Sequence, residues 1–475
     1  MKLSGNSLTG KVLKACGIFG GTQSVGILCS IVRSKLVALW LGPVGFGLFA
    51  IFNSALDLIS QLSSMGLRSS AVRDVAANAD SESHLQRVIV AVTRWGWVLG
   101  LIGALATMAL SPLLSRWTFG SGDYTWAYLL LSAAVLFNAL TGVNLAILQG
   151  LSRLKRLAKA SMWGSVTGLA VSVPMFYYMR LDSVLPSIIA YSAVALLFAF
   201  AYRERSERVA PRQTAGETWA IGRQFITLGF FITLSDVLNQ ASVYVFLAWL
   251  NNHAGEEVVG YYQAGNTLFN RYVGMIFTAI SMEYYPRLAS VARQPRRESV
   301  FASHEIKVAL MVLVPVISLF VAAAPLIVNI LYMPDFQVIV PFVTIAIVGT
   351  TLRAVSWCLA MVILCRGDGR IFLLTEGSSA VAFVLLNVAG YSLWGLMGLG
   401  VSYVCWYVIY LATVAVVYRR RYGLWLGRGV TALTVTAVLV TGVAAIGTLL
   451  WGWWVGVTVV ALSALSFMIL KLFAR

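Results

Sequence analysis

The sequence predicts an all-α integral membrane protein with about fourteen apolar runs long enough to cross a bilayer. Of its 475 residues, 59% are hydrophobic and 11% are charged, whereas a soluble protein keeps about a quarter of its residues charged. The mean hydropathy is +0.83. Lipid is therefore expected to be the solvent for most of the surface.

The candidate spans follow one another along the whole chain. Because a helix needs about 20 apolar residues to cross the hydrocarbon, we predict spans at 14–40, 45–76, 87–113, 124–150, 158–179, 183–203, 222–250, 258–288, 303–331, 337–365, 370–391, 396–418, 428–450 and 454–473. The basic start leads into the first span without a small-residue cleavage site, which indicates a membrane helix and not a removed signal peptide.

Arginine and lysine are concentrated in alternate loops. One set of loops carries clusters such as 153–159, 203–212 and 419–421, whereas the other set has few cations, among them Arg116 and Arg180. Positive loops remain in the cytoplasm, so both termini are expected there. The net charge of +17 is then explained mostly by the positive loops that fix the membrane topology. Nucleic-acid binding has no support, because the cations are spread over separate loops and form no single basic face.

The sequence contains no motif for a metal-binding or nucleotide-binding site. The five cysteines and three histidines are scattered without metal-ligand spacing. The chain also lacks the G-x-x-x-x-G-K-[ST] motif that cradles nucleotide phosphates. We therefore expect no cofactor, no metal site and no drive by ATP.

An internal repeat relates the two halves of the chain. Val44-Gly45-Phe46 recurs as Val259-Gly260-Tyr261, and Ser64-Met65 recurs as Ser281-Met282. Six predicted helices separate the copies, so both begin on the same side of the membrane. We predict an N-lobe at 1–221, a C-lobe at 222–421 and a helix pair at 422–475, with residues 204–221 as the polar link. In transporters with parallel repeats, the substrate site lies between the lobes near the midplane.

Four segments resemble a known family of exporters. They are ALWLGPVGFGLFAIFN after the first span, ILQGLSRLKRLAKAS at 147–161, GYYQAGNTLFNR at 260–271 and YYPRLASVA at 284–292. They resemble the polysaccharide-exporter branch of the multidrug/oligosaccharidyl-lipid/polysaccharide (MOP) superfamily, and within it the Wzx-type O-antigen translocases.

The resemblance implies a fold and a function. It implies a MATE-like arrangement of two pseudo-symmetric six-helix lobes around a central cavity that opens to either side in turn. It also implies a monomer in the bacterial inner membrane that exports undecaprenyl-diphosphate-linked oligosaccharide, with a polymerase and glycosyltransferases of the same pathway as partners. Wzx proteins usually have twelve spans and lipid II flippases fourteen, so a lipid II flippase is an alternative.

Three deep arginines are the candidates for the substrate's diphosphate. Arg33, Arg271 and Arg353 lie well inside predicted spans. A charge crossing lipid must be compensated, and the planar guanidinium suits phosphate best because it binds two oxygens and stays protonated. The sequence therefore predicts a cationic cavity lined by these residues.

Acids and amides complete the candidate site. Asp57, Asp236 and Glu376 could bind a coupling proton or Na⁺, or the first two could form structural ion pairs with Arg33 and Arg271. The amide side chains that could meet sugar hydroxyls, or alternatively join helices, are Gln61, Asn239, Gln240 and Asn270.

Two rival functions remain at this point. A drug/cation antiporter of the same superfamily would need a carboxylate-rich aromatic cavity, whereas the first span brings Arg33 and Lys35 and no acid. A membrane polymerase, ligase or glycosyltransferase would present catalytic groups on a sizeable outer loop, and the predicted outer loops are short. The sequence therefore favours a transporter and not an enzyme.

Overall fold

The described chain is helical and divides into two compact units. The computed structural model describes residues 5–64, 66–78, 81–203, 230–272 and 294–452, with scattered single positions between and beyond these ranges. No strand occurs within those ranges. The compact units are Met1–Gln240, here the N-unit, and Ala241–Arg475, here the C-unit. The predicted lobe boundaries remain predictions, since most of the link at 204–221 lies outside the described residues.

Helices α1 to α6 lie in the N-unit. Their bounds are Gly5–Ser64 for α1, Leu67–Ala77 for α2, Glu82–Phe119 for α3, Thr125–Gly150 for α4, Leu154–Met179 for α5 and Val184–Ala201 for α6, with a short 3₁₀ turn at Arg180–Ser183 between the last two. Helix α7 covers Phe230–Ala254, and its residues up to Gln240 complete the N-unit.

The C-unit contains the rest of α7 and helices α8 to α12. Helix α8 covers Glu256–Asn266 and continues into a π-helix at Thr267–Tyr272. The remaining bounds are Pro295–Leu331 for α9, Val340–Cys365 for α10, Gly369–Arg420 for α11 and Arg428–Trp451 for α12, with a 3₁₀ turn at Pro334–Ile339 before α10.

Two of the longest helices are each two membrane helices joined at a sharp break. Helix α1 breaks at Gly42, with φ of 67°, and α11 breaks at Gly395, with φ of 57°. Glycine adopts this left-handed region without the clash that a Cβ would cause. The halves of α11 approach closely beside the break, where the Ser402 hydroxyl donates to the carbonyl oxygen of Leu386 at 2.7 Å.

The membrane character of the chain is confirmed over most of the predicted spans. Eight described segments are long and apolar enough to cross a bilayer. Three of them, Val25–Ser64, Leu154–Ala201 and Gly369–Arg420, contain two predicted spans each, so the eight cover eleven of the fourteen. The spans at 222–250 and 258–288 are described in part by α7 and α8, and 454–473 lies largely outside the described residues. The count of fourteen stays a prediction.

Each unit has its own packed interior. In the N-unit, α2, α3 and α4 enclose a cluster that includes Val75, Trp95 and Ile147. In the C-unit, α10 is buried along most of its length among α9, α11 and α12. Helix α12 leaves an exposed stripe that includes Leu439 and Ile446. Exposed apolar stripes of this kind are what a lipid-facing helix requires, because lipid is as apolar as the side chains.

Candidate functional site

A cavity of about 760 Å³ lies within the N-unit. Three helices each contribute one stripe of side chains at helical spacing. The second half of α1 contributes Asp57, Ser60, Gln61 and Ser64; α4 contributes Asn138, Thr141, Gly142, Leu145 and Gln149; and α7 contributes Thr233, Asp236 and Gln240. Gly66 before α2, and Arg68 and Ser69 in its first turn, add to this lining. The cavity therefore presents polar groups among apolar ones such as Leu99 and Leu145.

Gly66 allows α1 and α7 to approach each other beside this cavity. It connects α1 to α2 with φ of 75°, and a Cβ built on it would meet Oγ1 of Thr233 at 2.6 Å. A side chain at this position would therefore be strained in its backbone and would also collide with α7. Glycine satisfies both requirements at this position, because it adopts the positive φ and has no Cβ to collide with Thr233.

A contact between two polar side chains of the cavity joins α1 to α7. Gln61 Nε2 donates to Oδ2 of Asp236 at 3.5 Å, which is long for a hydrogen bond. Asp57 lies one turn before Gln61, and both aspartates are exposed. Four predicted site residues, Asp57, Gln61, Asp236 and Gln240, are thus brought together. The fifth on these helices, Asn239, lies partly buried next to Gln240.

Arg33 occupies a different environment in the N-unit. Its guanidinium carbon lies 5.0 Å from the ring centre of Phe49 and 4.4 Å from that of Tyr191. Cation–π contacts of this length stabilise a desolvated cation. Arg33 is not among the residues that line the described cavity. Its predicted role in phosphate binding stays a prediction.

The C-unit contains a second polar cluster, centred on Asn270. This residue lies in the π-helix at Thr267–Tyr272, a rare element that is often found at functional sites. Asn270 Nδ2 donates to Oδ1 of Asn266. Its own Oδ1 accepts hydrogen bonds from Arg353 Nη1 at 2.5 Å and from the Tyr403 hydroxyl at 3.1 Å.

Arg353 is held by neutral groups. Besides its hydrogen bond to Asn270, its guanidinium carbon lies 5.2 Å from the ring centre of Phe277. Tyr403 and Tyr407 are its electrostatic neighbours. No carboxylate pairs with Arg353 in the part of the chain that the structure describes. A partly buried guanidinium without an anionic partner can donate charge-assisted hydrogen bonds to an anionic ligand.

A row of tyrosines on α11 leads from Glu376 to the surroundings of Arg353. Glu376 accepts a hydrogen bond from the Tyr410 hydroxyl. Tyr403, Tyr407 and Tyr410 follow one another along α11, with ring centres 4.9 Å and then 6.3 Å apart. The three phenols therefore form a row between the acid and the arginine. Arg271, the third predicted arginine, has its side chain outside the described residues.

An ion pair that the sequence analysis did not single out joins the end of α10 to the start of α9. Arg366, at the end of α10, donates through Nε to Glu298 Oε1 at 3.2 Å and through Nη2 to Oε2. Glu298, in the first turn of α9, is fully buried. The Tyr422 ring lies 4.3 Å from the Arg366 guanidinium carbon. The number of cations in a loop gives no signal for a buried ion pair of this kind, so the sequence analysis did not find it.

Tyr422 extends this ion pair beyond the end of α11. Its hydroxyl donates to Asp368 Oδ2 at 2.7 Å. Burial first, and then this hydrogen bond to Asp368, raises the pKa of the Tyr422 phenol. The phenol consequently remains a donor, and the segment after α11 is fastened to the α10–α11 turn.

Comparisons with known proteins agree with this architecture. A family model described as "Polysaccharide biosynthesis protein" matches residues 36–341. The lipid III flippase of Escherichia coli (strain K12) is 21% identical over 423 residues, which cover 84% of this chain and 96% of that protein. The lipid III flippase of Shigella flexneri matches to the same extent.

Solved structures show the fold. The lipid II flippase MurJ in an inward closed conformation superposes with a TM-score of 0.70 at 12% identity, over 96% of this chain and 99% of that one. An inward-facing multidrug resistance MATE family transporter of the MOP superfamily superposes with a TM-score of 0.69 at 16% identity, over 86% of this chain and 96% of that one. The expected MATE-like fold is thereby confirmed. With a family model matching more than half of its length, this chain belongs to the polysaccharide biosynthesis protein family.

Proposed function

We propose that this protein is a flippase that carries a lipid-linked oligosaccharide across the membrane, with Arg353 as a contact for the lipid's diphosphate. In this proposal the carrier lipid is undecaprenyl diphosphate and the exported group is an O-antigen-like repeat unit. The protein opens to the two sides of the membrane in turn. The flippases named among its relatives act on lipids II and III, and either a polysaccharide repeat unit or a cell-wall precursor suits the same chemistry.

The observation that carries the proposal is the environment of Arg353. Its described contacts are an amide oxygen, aromatic rings and phenols. An arginine kept only for structure inside a membrane protein usually pairs with an acid or with backbone carbonyls. Arg353 instead retains N–H donors without a partner among the described residues. Phosphate oxygens are the acceptors that a guanidinium binds best.

Coupling to an ion gradient fits Glu376 better than the other acids. It is partly buried and receives a hydrogen bond from Tyr410, whereas Asp57 and Asp236 are exposed in the N-unit cavity. Protonation of Glu376, or its binding of Na⁺, would change the charge at one end of the tyrosine row whose other end is Arg353. We propose that Glu376 senses the coupling ion in this way.

A drug/cation antiporter is the second candidate. The observation in its favour is the pair of carboxylates in the N-unit cavity, which would attract a cation. Against it stands the lining itself, because none of the described residues that line the cavity is an aromatic one that could bind an organic cation by cation–π contact. Survival of cells under a panel of cationic drugs, with and without the protein, separates the two functions.

Binding of a polyprenyl diphosphate tests the proposed function. The full-length protein in nanodiscs is titrated with farnesyl diphosphate and, for comparison, with farnesol. We expect the diphosphate to bind more tightly, and Arg353→Gln to weaken it by about tenfold or more, as loss of a charge-assisted hydrogen bond implies. Arg370→Gln, at an exposed cation of the same unit, is the matched control. Equal affinities for wild type and Arg353→Gln would contradict the proposal.

A further inference from the structure

Five exposed arginines lie at one end of the C-unit, where α9 begins and α11 ends. Two of them are in the first turn of α9, two are the last residues of α11, and one follows directly. These residues, here called the arginine patch, are Arg296, Arg297, Arg419, Arg420 and Arg421.

The segment between α11 and α12 holds these two helix ends together. The Ser299 hydroxyl, near the start of α9, donates to the carbonyl oxygen of Trp425 at 2.5 Å, although the two residues are 126 positions apart in the sequence. Tyr422, in the same segment, donates to Asp368 in the turn before α11. Tertiary packing, and not the sequence of one loop, therefore assembles the patch.

The acids at this end of the C-unit are engaged with other groups. Glu298 is the partner of Arg366, and Asp368 accepts a hydrogen bond from Tyr422. Within the described part of the chain, no arginine of the patch forms a salt bridge. The patch therefore presents five positive charges to an anionic partner.

Trp425 indicates that this partner is a membrane lipid. The Trp425 side chain is 61% exposed, and the guanidinium carbon of Arg419 lies 3.9 Å from the centre of its ring. Exposed tryptophan is typical of the depth at which lipid headgroups lie. A surface for a soluble polyanion has no need of an exposed indole.

An exposed apolar stripe on α11 leads to the patch. Val408, Ala412 and Val416 are exposed at intervals of four residues, so they lie on one face of the helix. Arg419 follows on the same face, one turn after Val416. A molecule with apolar chains and an anionic head matches this succession of apolar and cationic side chains.

We propose that the arginine patch and Trp425 bind the headgroup of an anionic phospholipid of the surrounding bilayer. The guanidinium groups donate to the phosphate oxygens of the headgroup, and the acyl chains lie along the exposed stripe of α11. The inference goes beyond the proposed function, because this phospholipid is not the transported substrate and Arg353 takes no part in its binding. It adds a second lipid site of a different class.

The proposal makes a claim that loop charge alone does not make. Positive loops fix the orientation of a membrane protein by their number of cations, and every such cation attracts anionic lipid to a similar extent. A bound lipid requires, in addition, several cations from different helices beside an interfacial aromatic ring. The patch should therefore bind a lipid more tightly than another loop of equal charge does.

Native mass spectrometry of the full-length protein in detergent tests the site. Phosphatidylglycerol is the anionic probe, and phosphatidylcholine with the same acyl chains is the neutral one. We expect the first phosphatidylglycerol to bind at least about tenfold more tightly than the first phosphatidylcholine, as contacts with two or more arginines imply. The triple variant Arg419→Gln, Arg420→Gln, Arg421→Gln should remove this preference.

A matched control distinguishes the site from loop charge. Arg153→Gln, Lys155→Gln, Arg156→Gln removes three exposed cations from the N-unit turn before α5 and from the start of that helix. It should leave the preference for phosphatidylglycerol unchanged. A loss as large as in the triple variant of the patch would overturn the inference, because attraction of lipid by loop charge would then explain the result.

A second variant keeps the test decisive if the triple variant folds poorly. Arg296→Gln with Arg297→Gln removes the α9 half of the patch and should weaken phosphatidylglycerol by at least about fivefold. Thermal unfolding in phosphatidylcholine shows that each variant is folded. Wild-type affinity in a folded variant of either half, or equal affinity of the wild-type protein for both lipids, would contradict the proposal.

Competition experiments identify other partners. Inorganic phosphate or polyphosphate that displaces phosphatidylglycerol at equal phosphate concentration would show a surface for soluble anions and would overturn the inference. Farnesyl diphosphate that displaces it equally well from wild type and from Arg353→Gln would overturn it too, because the patch would then take the substrate. Farnesyl diphosphate binding that requires Arg353 and is unchanged in the triple variant supports two separate lipid sites.

Discussion

Arg353 and Asn270 lie 83 residues apart in the sequence and are joined by a hydrogen bond of 2.5 Å from Nη1 to Oδ1. The acceptor is an uncharged amide, and the same oxygen also accepts from Tyr403. The π-helix brings Asn270 to this position. These described partners orient the arginine and carry no charge themselves, and a phosphate-binding group should be held in place in this way before its ligand arrives.

Replacing Asn270 tests whether transport requires an uncharged hydrogen-bond acceptor beside Arg353. Asn270→Asp would place a carboxylate against Arg353, and the resulting ion pair should compete with phosphate. We expect transport to fall by about tenfold or more, because a close charge pair in a partly buried site is worth several kcal/mol. Asn270→Ala removes one hydrogen bond and should cost about threefold to tenfold. Rates are measured with a polyprenyl-linked substrate in proteoliposomes.

The control for this pair of variants is Asn252→Asp, at an exposed amide near the end of α7. It adds the same charge away from Arg353 and should leave the rate unchanged. If Asn270→Asp transports as fast as wild type, the uncompensated charge of Arg353 has no part in the mechanism.

The buried pair Glu298–Arg366 should contribute to stability and not to substrate binding. Removing one partner of a buried ion pair leaves the other charge unpaired, at a cost of about 3–5 kcal/mol. We therefore expect Arg366→Met to lower the thermal unfolding temperature in detergent strongly. The double variant Glu298→Gln with Arg366→Met should recover part of this loss, since no charge is then left alone. A double variant less stable than both single variants would show that the pair is not the source of the effect.

Gly66 and Gly142 both line the N-unit cavity, but an added methyl group has different consequences. Gly66→Ala meets a positive φ and a close Thr233, so we expect a loss of about 1–3 kcal/mol. Gly142 is helical, and nothing lies within 4 Å of a Cβ built on it. Gly142→Ala should therefore stabilise α4 by up to about 1 kcal/mol. Thermal unfolding of both variants measures the difference; equal stabilities would contradict the close approach of α1 and α7.

Glu376 is expected to connect transport to an ion gradient. Glu376→Gln keeps a side chain that accepts a hydrogen bond from Tyr410 but cannot bind and release a proton. We expect transport in proteoliposomes to lose its response to an imposed proton or sodium gradient while exchange at equilibrium continues. Glu257→Gln, at an exposed acid in α8, serves as control. A variant that still accelerates with the gradient would exclude Glu376 as the coupling acid.

Hydropathy and loop charge predicted the class of fold because lipid imposes long apolar helices on any chain that crosses it. The predicted spans also leave gaps at 41–44 and 392–395, which contain the breaks at Gly42 and Gly395. The sequence signals gave no sign of the π-helix, since the extra residue in its turn depends on tertiary packing and not on local propensity.

The residue types of the candidate site could be predicted from the sequence, whereas it was harder to predict which of these side chains lie together. Depth along a span identified Arg353, Asp57 and Asp236, because charges in hydrocarbon are rare. Which of them meet depends on helix rotation, and rotation is set by packing against neighbours. The sequence therefore named the residue types. The structure adds that Asp57, Gln61, Asp236 and Gln240 line one cavity of the N-unit, and that Arg353 contacts Asn270 in the C-unit.

Export of surface polysaccharide tests the central claim most directly. The gene is deleted in its host and replaced by wild type, Arg353→Ala, Arg353→Lys or Arg370→Ala, and surface polysaccharide is compared at equal membrane levels of each protein. We expect wild type and Arg370→Ala to restore export, Arg353→Lys to restore it in part, and Arg353→Ala to fall short by about tenfold to a hundredfold. Full export with Arg353→Ala would contradict the account.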